Sequence, residues 1–207
     1  MRRPPLLGIV LCVTLLQASG CLTPHLTHAQ PAPDPAAEAK AELDAANKAN
    51  SDQEWETAIG HWTRALELYR AQQGSEKRQA ICLLGMGMAY RGLQKHAECI
   101  AALTEALALL APLPETEQHR AVCLFFLGQS HYDTGQYEQS MEAFTRAVEL
   151  YAQMDGAGHS QAETLYNLAL SCGELGLYER QVAALEQALE LYGAGEDTAR
   201  QRADCLK

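Results

Sequence analysis

Aromatic residues are scarce in this sequence, with three Phe, two Trp and eight Tyr in 207 residues, and alternating runs of Val, Ile and Thr are missing. Sheet faces are built from β-branched and aromatic side chains, so the scarcity argues against strands. Basic residues are also few: 16 Lys and Arg stand against 26 Asp and Glu, a formal net charge of −10. A chain of that sign repels a phosphate backbone, which argues against nucleic acid as a partner. The signatures of catalysis are missing too. There is no H-E-x-x-H, no G-x-S-x-G and no phosphate-cradling glycine loop, and no two cysteines have the C-x-x-C spacing of a metal or redox site. The histidines, His25, His28, His61, His96, His119, His131 and His159, are scattered. No catalytic residue, metal or cofactor is expected, and the chain reads as a non-enzyme.

What is there is repetition. Gly135 to Tyr151 reads GQYEQSMEAFTRAVELY, and related stretches run from Gln53 to Tyr69, Gln94 to Leu110 and Gly176 to Tyr192. Ala39, Ala80, Ala121 and Ala162 open successive units at a period of 41 residues. A fixed period of this kind marks a solenoid, in which each unit buries its apolar face only against its neighbours.

Each unit places two helical patterns around a turn. In the third, Leu124, Leu127, Gly128 and His131 precede a turn at Gly135 and Tyr137, and Ser140, Phe144, Ala147 and Leu150 follow. The second unit has Leu83, Met86, Gly87, Tyr90, Cys99, Leu103 and Ala106 in those columns; the fourth has Leu165, Leu168, Ala169, Cys172, Gln181, Leu185 and Ala188. The first is weaker, with Glu42, Ala45, Ala46 and Ala49 before Ala58, Trp62 and Ala65. Small residues let two helices approach closely, and the larger ones fill the seam. These columns resemble the tetratricopeptide repeat. The resemblance implies an all-α, right-handed superhelical solenoid of four helical hairpins plus a C-terminal capping helix. The usual unit has about 34 residues and a closing Pro, whereas this one is longer and keeps only a displaced Pro112. The longer format resembles the kinesin-light-chain variety, its extra residues adding about a turn to each helix.

The ends follow other rules. Residues 1–20 carry Arg2 and Arg3, an apolar run from Leu6 to Leu16, and Ala18, Ser19 and Gly20 before Cys21. This is the layout of an export signal, too short for a membrane span. Ala18 to Cys21 resembles a bacterial lipoprotein processing site, which makes Cys21 the lipidated first residue of the mature chain. The competing reading is ordinary cleavage after Ala29, unusually far from the apolar run. Residues 21–38 contain Pro24, Pro31, Pro33 and Pro35 without an apolar period and read as a Pro-rich tether, reaching roughly 50 Å at about 3.1 Å per residue. Leu22, not Asp, follows Cys21. By resemblance to sorting in bacteria with two membranes, that favours an outer-membrane lipoprotein facing the periplasm. The array is read over 39–197. In 198–207, Ala203, Cys205 and Leu206 return in the register of Ala80, Cys82 and Leu83, as a polar capping helix or the start of a fifth unit.

Seven cysteines invite a disulfide reading, but Cys12 leaves with the signal, Cys21 carries lipid, and Cys82, Cys123 and Cys205 share one column. That placement suits small buried apolar residues.

The first helix of each unit builds the concave wall of such a superhelix. Beyond the seam these helices carry a second stripe, and three of the four units put apolar residues on it. A solvent-facing helix needs no second apolar stripe. Leu84, Met88, Arg91, Phe125, Gln129, Tyr132, Tyr166 and Leu170 are therefore the candidate protein-binding groove, suited to an amphipathic helix or an apolar extended segment. The other reading is that these residues pack between units. The expected function is a lipid-anchored, non-catalytic scaffold binding a protein partner in the bacterial envelope, in pilus, secretion or outer-membrane assembly. The alternatives are an accessory or sensor module of an envelope enzyme and, behind it, a peptidoglycan-handling enzyme.

Overall fold

A computed structural model describes residues 34–193; the signal over 1–20, the tether up to Pro33 and the segment 198–207 lie outside the described residues. The described chain forms the helices α1 (Pro35–Ser51), α2 (Trp55–Arg70), α3 (Glu76–Gly92), α4 (His96–Leu110), α5 (Glu117–Asp133), α6 (Tyr137–Tyr151), α7 (Gly158–Glu174) and α8 (Tyr178–Tyr192). Consecutive helices pair into four hairpins, the all-α solenoid architecture that the columns imply. The array opens earlier than the tether reading placed it. Asp34 accepts a hydrogen bond from the Ala36 amide at 3.1 Å and Pro35 occupies the first helical turn. Pro is favourable there because its missing N–H has no intrahelical partner to lose, so residues 35–38 belong to α1.

One turn is built four times. Gln53, Gln94, Gly135 and Gly176 follow the first helix of their units at the same register, and all four have positive φ, from 59° to 74°. The next residue's amide then reaches back to the helix, as Lys95 does to the Tyr90 carbonyl and Gln136 to the His131 carbonyl, both at 2.8 Å. This closure satisfies carbonyls that the helix end would otherwise orphan. Between units, Ser75 and Thr116 do similar work from the other side: each buried hydroxyl donates to a carbonyl in the last turn of the preceding helix, that of Tyr69 or Leu110.

Within a hairpin, a large side chain of the second helix sits on a small residue of the first. A Cβ added at Gly87 would lie 2.6 Å from the Leu103 side chain, and one at Gly128 would lie 2.7 Å from the Phe144 ring. Ala169 takes that column in the fourth unit. Leu103 and Phe144 are both 0% exposed as a result. Between the first two units the same device recurs with both tryptophans, Trp62 against Gly85 and Trp55 against Gly92. The later steps use buried polar pairs, Cys99 with Ser130 at 3.1 Å and Ser140 with Ser171 at 2.9 Å. First helices also touch one another, α1 on α3, α3 on α5 and α5 on α7, and so form one continuous wall. No described helix follows α8, and its outer face carries Tyr178 and Val182 at 68% and 53% exposure.

Cys82, Cys99, Cys123 and Cys172 are free and buried. Burial pushes the Cys82 and Cys123 thiols from 9.0 to about 12, so the folded chain keeps these protons where the unfolded chain gives them up. Their contribution to stability is whole below pH 9 and is lost as the pH rises toward about 12. Urea midpoints should fall across that window, and fall less steeply in a Cys82→Ala/Cys123→Ala protein; equal slopes would refute the assignment. A second test concerns the seam. Phe144→Ala should cost about 3–5 kcal/mol, and exposed Glu142→Ala within about 0.5 kcal/mol of nothing. Comparable losses in thermal unfolding would mean the register is misplaced.

Candidate functional site

The first-helix wall brings most of the expected groove together. Met88 and Arg91 on α3, Phe125, Gln129 and Tyr132 on α5, and Tyr166 and Leu170 on α7 occupy matching columns and are all half-buried. Leu84 departs from the expectation. It is 9% exposed and belongs to the large core cluster that runs from α1 to α5.

The aromatic members also brace their neighbours. Phe125 stands edge-on to Phe126 at 5.4 Å and to the buried Phe144 at 6.0 Å, so part of its ring supports the core. Tyr132 stands edge-on to Tyr137 at 5.4 Å and its hydroxyl donates to Glu174 Oε1 at 3.3 Å. Burial, followed by the Glu174 charge, raises its phenol above the ordinary value. Arg91 repeats this contact one unit earlier, its guanidinium donating to Asp133 Oδ2 at 3.5 Å. The His96 Nδ1 atom lies 3.9 Å from the same oxygen.

Polar contacts thus lace the C-terminal ends of successive first helices, from a residue to the acid 42 positions on. Sequence reading missed Asp133 and Glu174. The recurring 42-residue offset between a donor and a carboxylate was the signal that could have found them. What remains for a ligand is the apolar middle, Met88, Phe125, Tyr166 and Leu170, with the Gln129 amide as a polar handle. Such a surface grips apolar side chains and extended backbone.

Among the described residues no group of three or more His, Cys, Asp or Glu could hold a metal ion, and no helix is long and apolar enough to cross a membrane.

Several solved structures share the fold. BtubC (BKLC) from P. vanneervenii is 19% identical with a TM-score of 0.71, the match covering 80% of this chain and 67% of that one. A Podosopora anserina protein of nearly identical TPR-like repeats, assigned to the kinesin light chains, is 16% identical with a TM-score of 0.68 and 84% of both chains covered. Aspartyl phosphate phosphatase F from Bacillus subtilis is 14% identical with a TM-score of 0.69; 77% of this chain is covered but only 41% of the phosphatase. At these identities the likeness concerns the fold. No curated protein matches the sequence. The tetratricopeptide repeat model matches residues 80–153 and 120–194, which together span more than half of the chain. Stacked hairpins with an open first-helix wall are the architecture of a protein-binding scaffold, and by its repeats, its hairpins and that match this chain belongs to the tetratricopeptide repeat family.

Proposed function

We propose that the chain is a non-catalytic, lipid-anchored scaffold of the bacterial envelope that recruits a protein partner along its first-helix wall. The observation that carries the reading is the strip formed by Met88, Phe125, Tyr166 and Leu170. Three successive helices hold these side chains half-buried on matching columns; Met88 and Tyr166 also pack against the core, yet each keeps part of its apolar surface in water. A strip of this kind suits the apolar face of an amphipathic helix or the alternate side chains of an extended segment. The anchor rests on Arg2, Arg3, the apolar run to Leu16 and the Ala18 to Cys21 sequence. The outer-membrane placement, facing the periplasm, rests on Leu22. Roles in pilus, secretion or outer-membrane assembly suit a scaffold so placed.

Met88→Glu/Tyr166→Glu tests the strip without disturbing Phe125, whose ring also braces Phe144. Crosslinking capture from the native membrane should lose the partner while the circular dichroism of the variant matches the parent. Undiminished capture by a folded variant would place the binding surface elsewhere. The anchor has its own test: Cys21→Ala should leave a folded protein in the soluble fraction, since stable attachment depends on the acyl chains. Continued sedimentation with membranes and an unchanged acyl mass shift would defeat the lipoprotein reading.

A further inference from the structure

The first step of the array holds a cavity of a different character from the groove. It has a volume of about 370 Å³ and is lined by Ala36, Lys40, Leu43, Tyr69, Gln72 and Arg78. Lys40 and Leu43 come from α1, Arg78 from the first turn of α3, and Tyr69 and Gln72 from the end of α2 and the loop after it. Two cations line this wall and no acid does, in a chain of net charge −10.

Neither cation is spent. Among the described residues, the ion pairs engage Arg64, Arg70, Arg91 and Arg146 but neither Lys40 nor Arg78. Arg78 is held in place by the Tyr69 ring, its guanidinium carbon 5.8 Å from the ring centroid. The Gln72 amide donates to the Pro35 carbonyl at 3.4 Å and ties the loop to the head of α1. The first turn of α3, from which Arg78 comes, has no side-chain cap and adds positive partial charge, whereas the head of α1 is capped by the Asp34 carboxylate on the Ala36 amide. Asp34, Glu38 and Glu76 stand at the same helix ends, and Asp44 lies one turn along α1 from Lys40, but none of them lines the cavity, and Glu38 is paired with Arg64.

The repeat does not account for this pair. The Lys40 column holds Ile81, Val122 and Glu163 in the later units, and the Arg78 column holds Ala37, His119 and Ser160. Only the step between the first and second units puts a cation in both. A packing requirement would recur with the period, and this does not.

We propose that the cavity binds a phosphate group, either free or as the phosphodiester of a lipid headgroup. A carboxylate is filled by one arginine fork, whereas a phosphate has further oxygens for a second cation. Lys40 supplies the point charge and Arg78 the fork, and Ala36, Leu43 and the Tyr69 ring receive the carbons of an ester. The site lies at the head of α1, where the tether joins the array, so a headgroup bound there would hold the array close to the surface its anchor occupies.

The test uses the full chain with ¹⁵N-labelled arginine, following the Arg78 Nε–H resonance during titration with inorganic phosphate, glycerophosphoglycerol (a deacylated lipid headgroup) and acetate. Saturable shifts with phosphate or with the diester are expected, lost in Lys40→Gln/Arg78→Gln and weakened at least tenfold in Lys40→Gln alone. Arg146→Gln, far along the array, should titrate like the parent. Preference for the diester assigns a lipid source, and preference for inorganic phosphate a free one. No saturable shift with either phosphate probe, equal shifts with acetate, or undiminished binding by a double variant of native helical content would each overturn the proposal. Because these readouts involve neither partner capture nor acylation, the result stands apart from the fate of the scaffold reading.

Discussion

The molecule depends on how near the two helices of a hairpin can come. Where Gly87 and Gly128 leave out a side chain, Leu103 and Phe144 drop onto the facing backbone and become fully buried. Glycine inside a helix costs about 0.5–1 kcal/mol relative to alanine, while a buried Leu or Phe returns about 1.5–3 kcal/mol, so the exchange favours the close approach. Everything larger follows from that spacing. It sets the angle at which one hairpin meets the next, and with it the line along which α1, α3, α5 and α7 touch. A groove that runs across three units can exist only if each unit repeats the spacing closely.

Much of this was legible because periodicity is information that a single chain carries about itself. The hairpins, their order and the buried columns could be read by laying the units side by side: Ala39, Ala80, Ala121 and Ala162 share a column and share an exposure of 0%. The failures lie where neighbours differ between units. Leu84 and Phe125 occupy the same column, yet Leu84 is taken into the core cluster, and Phe125 is only half-buried. The start of α1 was misread for a local reason. Prolines that look like tether end in one that starts a helix, and only the Asp34 cap distinguishes it. Lys40 and Arg78 were invisible as a pair, being 38 residues apart and absent from the repeat pattern.

The interfaces between units are unlike one another although the hairpins are alike. Two tryptophans on two glycines join the first pair, whereas hydroxyl and thiol pairs join the later ones. The tryptophan step is almost purely a matter of shape, and the buried Trp62 indole nitrogen finds no hydrogen-bond partner among the described residues. The hydroxyl steps trade some of that apolar contact for directional bonds, which tolerate little sliding. A stack joined in both ways resists shear differently along its length, and the wall is held most strictly in register where Phe125, Tyr132, Tyr166 and Leu170 stand.

The left-handed turn residue has a mechanical consequence. The third and fourth hairpins place glycine there, at no steric penalty, and the first two place Gln53 and Gln94, where a side chain makes the conformation costlier by about 1–2 kcal/mol. The first helix also contributes only small side chains to the core, the buried residues of α1 being Ala39, Ala46 and Ala49. In a solenoid each unit is steadied only by its neighbours, and among the described residues the first and the fourth have one each. Tension applied at the start of α1 would peel that helix away first and dissipate the pull before it reaches the wall behind it.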